Sequence, residues 1–188
     1  MQVRLIRHGT TAGNAERRYV GSTDEPLCPE GRAEAERHEK DLSLLRVYVS
    51  PMLRARETAS ILFPNAEQIV IDDLREMDFG DFEGRTADEM ADDPAYRAWV
   101  DDLCRGTCPN GESQEAFHAR VAAAFETLTG EENPTLVAHG GVIMSILWQF
   151  AEPKKEFYEW WMPNLSGYRA DCERRDGAIV LRNILRIP

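Results

Sequence analysis

A three-layer α/β/α sandwich around a mainly parallel sheet is the fold class this sequence predicts, and three observations predict it. Short apolar strands alternate with helical patterns along most of the chain, as in successive βα units. Three of those strands run out into polar clusters, two of which open directly into a helix. No repeat, low-complexity run or linker interrupts the order, so residues 1–188 are expected to form a single domain.

The elements follow in sequence. "VRLIRHG" reads as a buried strand ending at Arg7 and His8, with "TTAGN" after it. In "PLCPEGRAEAERHEKDLSLL", the Ala, Glu and Arg content favours a helix from Pro29 onward, proline suiting the first helical position. "RVYVS" is a second strand, and in "SPMLRARETASILF" Ser50 is the expected N-cap and Pro51 the first helical residue. "EQIVIDDL" is a third strand, followed by "LREMDFGDFEGRT", whose two glycines and lack of period predict a loop. Residues 86 to about 103 suggest two short helices broken near Pro94. Ser113 can cap a helix on which Phe117, Val121, Ala124, Phe125 and Leu128 recur at helical spacing. "PTLVAHGG" is a buried strand entering the helix "VIMSILWQF". Segments near 166–173 and 178–184, joined by "RRDG", predict a closing hairpin.

Composition narrows the function classes. Thirty-three acidic against 22 basic side chains give a formal net charge of −11. Such a surface repels phosphate backbones and anionic lipid, so nucleic acid and membranes are not expected partners. No apolar run approaches a membrane span, and Arg4 and Arg7 break the N-terminal apolar stretch that a signal peptide would need. Cys28, Cys104, Cys108 and Cys172 form no CxxC pair, and Gly106 and Pro109 put the closest two in a turn. Free thiols and a cytoplasmic location are the expectation.

The unusual residues gather at strand ends. The first strand delivers Arg7, His8 and Asn14, the second Arg54, and the strand before "HGG" delivers His139, Gly140 and Gly141. In an open parallel sheet the carboxyl ends of the strands frame the ligand crevice, so these groups should converge there. Two histidines, two arginines, an amide and a helix N-terminus make a cradle for a tetrahedral oxyanion. Glu76, in the loop after the third strand, is the candidate for moving protons.

"RHGTTAGN", "SPMLRARETA", "LREMDFGDFEG" and "VAHGG", in this order, resemble the histidine phosphatase superfamily, in its phosphoglycerate-mutase-like branch. The resemblance runs from residue 3 to about 145, and "PLCPEGRAEA" and "PNGES" fit it too. It implies His8 as a nucleophile that forms a phosphohistidine, and Glu76 as proton donor. Arg7, Asn14, Arg54, His139 and Gly140 would hold the phosphoryl group. The arginines do the neutralising, so no metal and no cofactor are implied. Three positions depart from the pattern. Thr10 stands where many relatives carry glutamate, Cys28 replaces a Ser or Thr cap, and Ala138 precedes the second histidine where serine is frequent.

Other polar residues carry plainer readings. His38 and His118 are expected to be solvated or packed, Arg56 a structural or rim charge, and Glu57 an ion-pair partner. Asp78, Asp81 and Glu83 have no metal-loop spacing and read as a solvated acidic loop. "FYEWWMPN" could floor a substrate pocket, with core packing the preferred reading. The expected activity is a metal-independent phosphomonoesterase on a small phosphate ester, such as α-ribazole-5′-phosphate or a sugar or nucleotide phosphate. The alternatives are a phosphoglycerate mutase and a non-catalytic phosphate-binding domain, the last opposed by the intact residue set. Residues 77–138 hold fourteen Asp or Glu against four Arg and no Lys, which argues against a mutase's basic lid.

Overall fold

Period-two burial along the strands separates two cores in the computed structural model, which describes residues 1–188. In β1 (Gln2–Arg7), Val3 and Leu5 enter a large core while Ile6 enters a small one. β2 (Arg46–Val49) sends Val47 and Val49 to the small core and Tyr48 to the large one. β4 (Thr135–Ala138) follows β3 (Glu67–Val70) in the chain and divides Val137 from Leu136 and Ala138 in the same way. Strands buried on both faces need a layer of helices on each side.

The six strands lie in the order β3-β2-β4-β1-β5-β6, where β5 is Gly167–Arg175 and β6 is Ala178–Ile187. The first four are parallel, and β5 and β6 add antiparallel. The predicted hairpin is present, and its β5–β6 turn has positive φ at Asp176 (52°) and Gly177 (84°), as a two-residue turn requires. α3 (Leu53–Leu62) packs on the small core through Ala55, Ala59 and Leu62, with α2 (Pro29–Arg37) beside it. α5 (Gln114–Leu128) and α6 (Gly140–Phe150) cover the large core, completing the three layers.

Insertion of β4 between β2 and β1 makes the switch point. The register pairs Arg7 with Ala138 and Val49 with Val137. One residue further on, His8, Ser50 and His139 therefore emerge side by side at the carboxyl edge.

Several boundaries differ from the sequence reading. α2 stops at Arg37, because Asp41 caps a turn instead, accepting from Ser43 N (3.1 Å), Ser43 Oγ (2.6 Å) and Leu44 N (3.2 Å). α3 starts at Leu53, with Met52 and not Ser50 in the cap position. β3 ends at Val70, and the following Asp72–Leu74 is a single 3-10 turn. Before Pro94 there is no helix, since Thr86 and Glu89 bind each other's backbone N–H groups and close a turn. A short α1 (Ala12–Ala15), capped by Thr11, and the single helix α4 (Pro94–Asp101), capped by Asp93, complete the set.

Candidate active site

The structure brings every site residue singled out above to the carboxyl edge. Arg7, Asn14, Glu76 and Gly140 line one cavity of about 360 Å³, together with Gly141. His8, Arg54 and His139 do not line it themselves but make a buried floor beside it, adjacent in the chain to Arg7 and Gly140 or in charge contact with Arg7 and Glu76. These three are 3%, 0% and 0% exposed, and the two imidazole centroids lie 5.1 Å apart.

Each polar group has its orientation fixed by a neighbour. His8 Nδ1 lies 2.7 Å from the carbonyl oxygen of Gly9, an acceptor only, so Nδ1 carries the proton and Nε2 keeps a free lone pair. His139 Nδ1 accepts from Arg54 Nε (3.3 Å), which places its proton on Nε2, donating to Ser50 Oγ (2.6 Å). Arg54 also donates to the carbonyls of Thr23 (2.7 Å) and Gly21 (2.8 Å), leaving a second Nη1–H unspent. Arg7 Nη1 donates to Met162 O (2.7 Å), while Arg7 Nε is buried with no partner in the chain. A buried unpaired donor on a cation marks a place for an anion. Asn14 Oδ1 accepts from Thr11 N (3.4 Å) and Asn164 Nδ2 (3.2 Å), so its own NH₂ remains available.

Electrostatics sort the titratable groups. Burial, then the Arg54 and Arg7 charges, hold His8 well below the ordinary imidazole value of 6.5. Burial and then Arg54 do the same to His139. Glu76 moves the other way, raised from the ordinary 4.5 chiefly by burial. Its Oε1 accepts from Met77 N (3.0 Å) and its Oε2 from Gly141 N (2.9 Å). A neutral imidazole beside a protonatable carboxyl, among fixed cations, can attack an electrophilic phosphorus and protonate what leaves.

Sequence reasoning missed the residues that hold this arrangement. Ser50, read as a helix cap, is instead the partner of His139. Thr58 Oγ1 binds Gly9 N (2.9 Å), and Asn164 Nδ2 binds His8 O (2.9 Å). Glu83, half-buried, does more than face water. Its carboxylate gathers Gly21 N (3.0 Å), Ser22 N (2.8 Å), Phe79 N (3.1 Å) and Thr23 Oγ1 (2.7 Å), fixing the loop whose carbonyls hold Arg54. Arg120 donates to the carbonyls of Asp73, Arg75 and Glu76 and pairs with Glu112 at 2.6 Å, pinning the loop that carries Glu76.

Other expectations resolve individually. Glu57 does form an ion pair, with Arg32 at 2.8 Å, and Arg56 is exposed. His118 packs against Trp148 and binds Ser145 Oγ (2.7 Å). The four cysteines are free thiols, and Cys28 Sγ still caps α2 by accepting from Gly31 N (3.3 Å). The aromatic segment divides. Trp160 is core at 3% exposure, whereas Phe157, Tyr158 and Trp161 line the cavity, so the core reading holds for only part of it.

Known proteins share this architecture. The profile of the histidine phosphatase superfamily (branch 1) matches residues 3–185. A Klebsiella pneumoniae (strain 342) protein named probable phosphoglycerate mutase GpmB is 37% identical over 153 residues, spanning 74% of this chain and 70% of its own. Among solved structures, the α-ribazole phosphatase from Shigella flexneri superposes with a TM-score of 0.82 at 27% identity, over 97% of this chain and 95% of that one. The phosphoglycerate mutase from Thermus thermophilus gives a TM-score of 0.74 at 32% identity, over 100% and 99%. With the family profile spanning nearly the whole sequence and the charged floor assembled at the switch point, the chain belongs to the histidine phosphatase superfamily, branch 1.

Proposed function

We propose that the protein is a metal-independent phosphomonoesterase, turning over a small cytoplasmic phosphate ester through a phosphohistidine on His8. The observation that carries this reading is the tautomer of His8. Its Nδ1 proton is committed to Gly9 O, so a neutral, lone-pair-bearing Nε2 sits among Arg7, Arg54 and His139. Arg7, Arg54, Asn14 and the N-terminus of α6 at Gly140 take the phosphoryl oxygens, the part that a metal plays in other phosphoryl transfers. His139 takes up a proton from solvent when the dianion enters, and Nδ1–H then replaces its contact with Arg54 by one to the phosphoryl group. Glu76, kept protonatable by burial, gives its proton to the departing alkoxide and then takes one from the water that hydrolyses the intermediate.

Esters such as α-ribazole-5′-phosphate, sugar phosphates and nucleotides are the substrate range, in line with the function named for the Shigella structure. A phosphoglycerate mutase is the second reading, favoured by the name of the 37%-identical Klebsiella relative. The test is a panel of phosphate esters scored for released phosphate, with and without EDTA. Phosphate release unaffected by chelator supports the proposal. Release that EDTA abolishes and magnesium restores contradicts it.

A further inference from the structure

Beyond the phosphoryl floor the cavity changes character. Its charged lining residues are Arg7, Glu76 and Arg18, and Arg18 is already committed to Glu16 (2.7 Å), Glu89 (2.9 Å) and Gly84 O (2.6 Å). The remaining wall is apolar and aromatic. Tyr19 and Phe79 meet edge to face at 5.1 Å between centroids, with Trp99 5.9 Å from Tyr19. Tyr158 and Trp161 close the mouth, and both are more than half exposed, at 58% and 56%. Arg17 makes no ion pair and lines an adjoining cleft that shares Arg7, Asn14, Arg18, Tyr19 and Trp161 with this cavity, so the spare guanidinium lies beside the aromatic wall and not within it.

The polar atoms in this wall are mostly spent. Tyr19 OH pairs with Tyr96 OH at 3.0 Å. Gln114, at the first position of α5, lines the cavity, and its side-chain amide makes no hydrogen bond within the chain. The result is a slot of ligand size with large flat faces, in whose aromatic wall the Gln114 amide and the buried Trp99 Nε1 have no partner.

We infer that this slot selects phosphomonoesters whose alcohol carries an uncharged planar ring, and that Gln114 reads the ring's hydrogen-bonding edge. The inference rests on the phosphomonoesterase reading for which end of the substrate lies on the floor. A sugar alone, or a small phosphorylated acid, would leave the aromatic faces wet. A heteroaromatic ring stacks on the aromatic side chains and gives Gln114 a donor or acceptor to meet.

Binding to His8→Ala protein tests this without turnover. Dissociation constants would be measured by tryptophan fluorescence for adenosine 5′-monophosphate and ribose 5-phosphate, which share a phosphate and a sugar. The ring-bearing ligand should bind at least about tenfold tighter, the scale of one stacked ring. Replacing the exposed Trp161 by Ala in the same background should shrink that ratio severalfold. Gln114→Met should weaken adenosine 5′-monophosphate but not benzyl phosphate, whose ring has no hydrogen-bonding edge. Equal affinity for the two ribose ligands, or a ratio untouched by Trp161→Ala, overturns the ring-selective slot. Equal effects of Gln114→Met on both ring ligands overturn the role of the amide. These affinities decide the inference even if wild-type protein releases no phosphate, an outcome that would count against the proposed activity alone.

Discussion

Glu76 and Gly141 cannot change independently. A Cβ at position 141 would lie 2.4 Å from Glu76 Oε1, so Gly141→Ala must push the carboxyl aside, away from the backbone N–H that holds Oε2. Alkyl phosphates leave as poor alkoxides and need the proton, while p-nitrophenyl phosphate does not. Glu76→Gln should therefore slow an alkyl ester by about a hundredfold or more and the aryl ester far less. Gly141→Ala should repeat that pattern in weaker form, and equal slowing of both esters would assign Glu76 to binding instead. The pH profile carries the same signature. Turnover needs His8 neutral, which its lowered pKa allows well into acid, and Glu76 protonated, which its raised pKa extends above 4.5. The alkyl-ester rate should thus fall on the alkaline side as Glu76 ionises, and Glu76→Gln should flatten that limb. At this scale, His8, Arg7, Arg54, Glu76 and His139 were legible because each lies in a contiguous motif. Ser50, Asn164 and Glu83 were not, since their partners lie 89, 156 and about 60 residues away and exist only after folding.

Among the elements, α5 links stability to the site. Ser113 Oγ accepts from Ala116 N (3.1 Å) and caps the helix from which Arg120 reaches the Glu76 loop. Ser113→Ala should cost about 1 kcal/mol, read from the urea midpoint, with kcat changed little because Arg120 still docks. Arg120→Met should do the reverse, lowering kcat for alkyl esters by freeing the loop. A large kcat loss in Ser113→Ala, with Arg120→Met silent, would contradict this division. The α5 cap, the parallel strands and the closing hairpin were readable from spacing and turn chemistry. α2 beyond Arg37 and the segment before α4 were not. There, Asp41 and Glu89 bind backbone N–H groups locally, and composition alone does not distinguish that from a helical side chain facing water.

For the whole molecule, the −11 net charge and the acidic 77–138 segment argue for hydrolysis over isomerisation. With 3-phosphoglycerate, with or without 2,3-bisphosphoglycerate, phosphate release should outrun formation of 2-phosphoglycerate. Faster isomerisation would favour the mutase. On the proposed reading both chemistries pass through His8, so the most direct measurement is to quench the enzyme during turnover and locate the phosphoryl group. The account predicts an acid-labile, base-stable phosphoryl group on the peptide containing His8, absent from a folded and inactive His8→Ala protein. A phosphoryl group on serine, or full activity without His8, would contradict it.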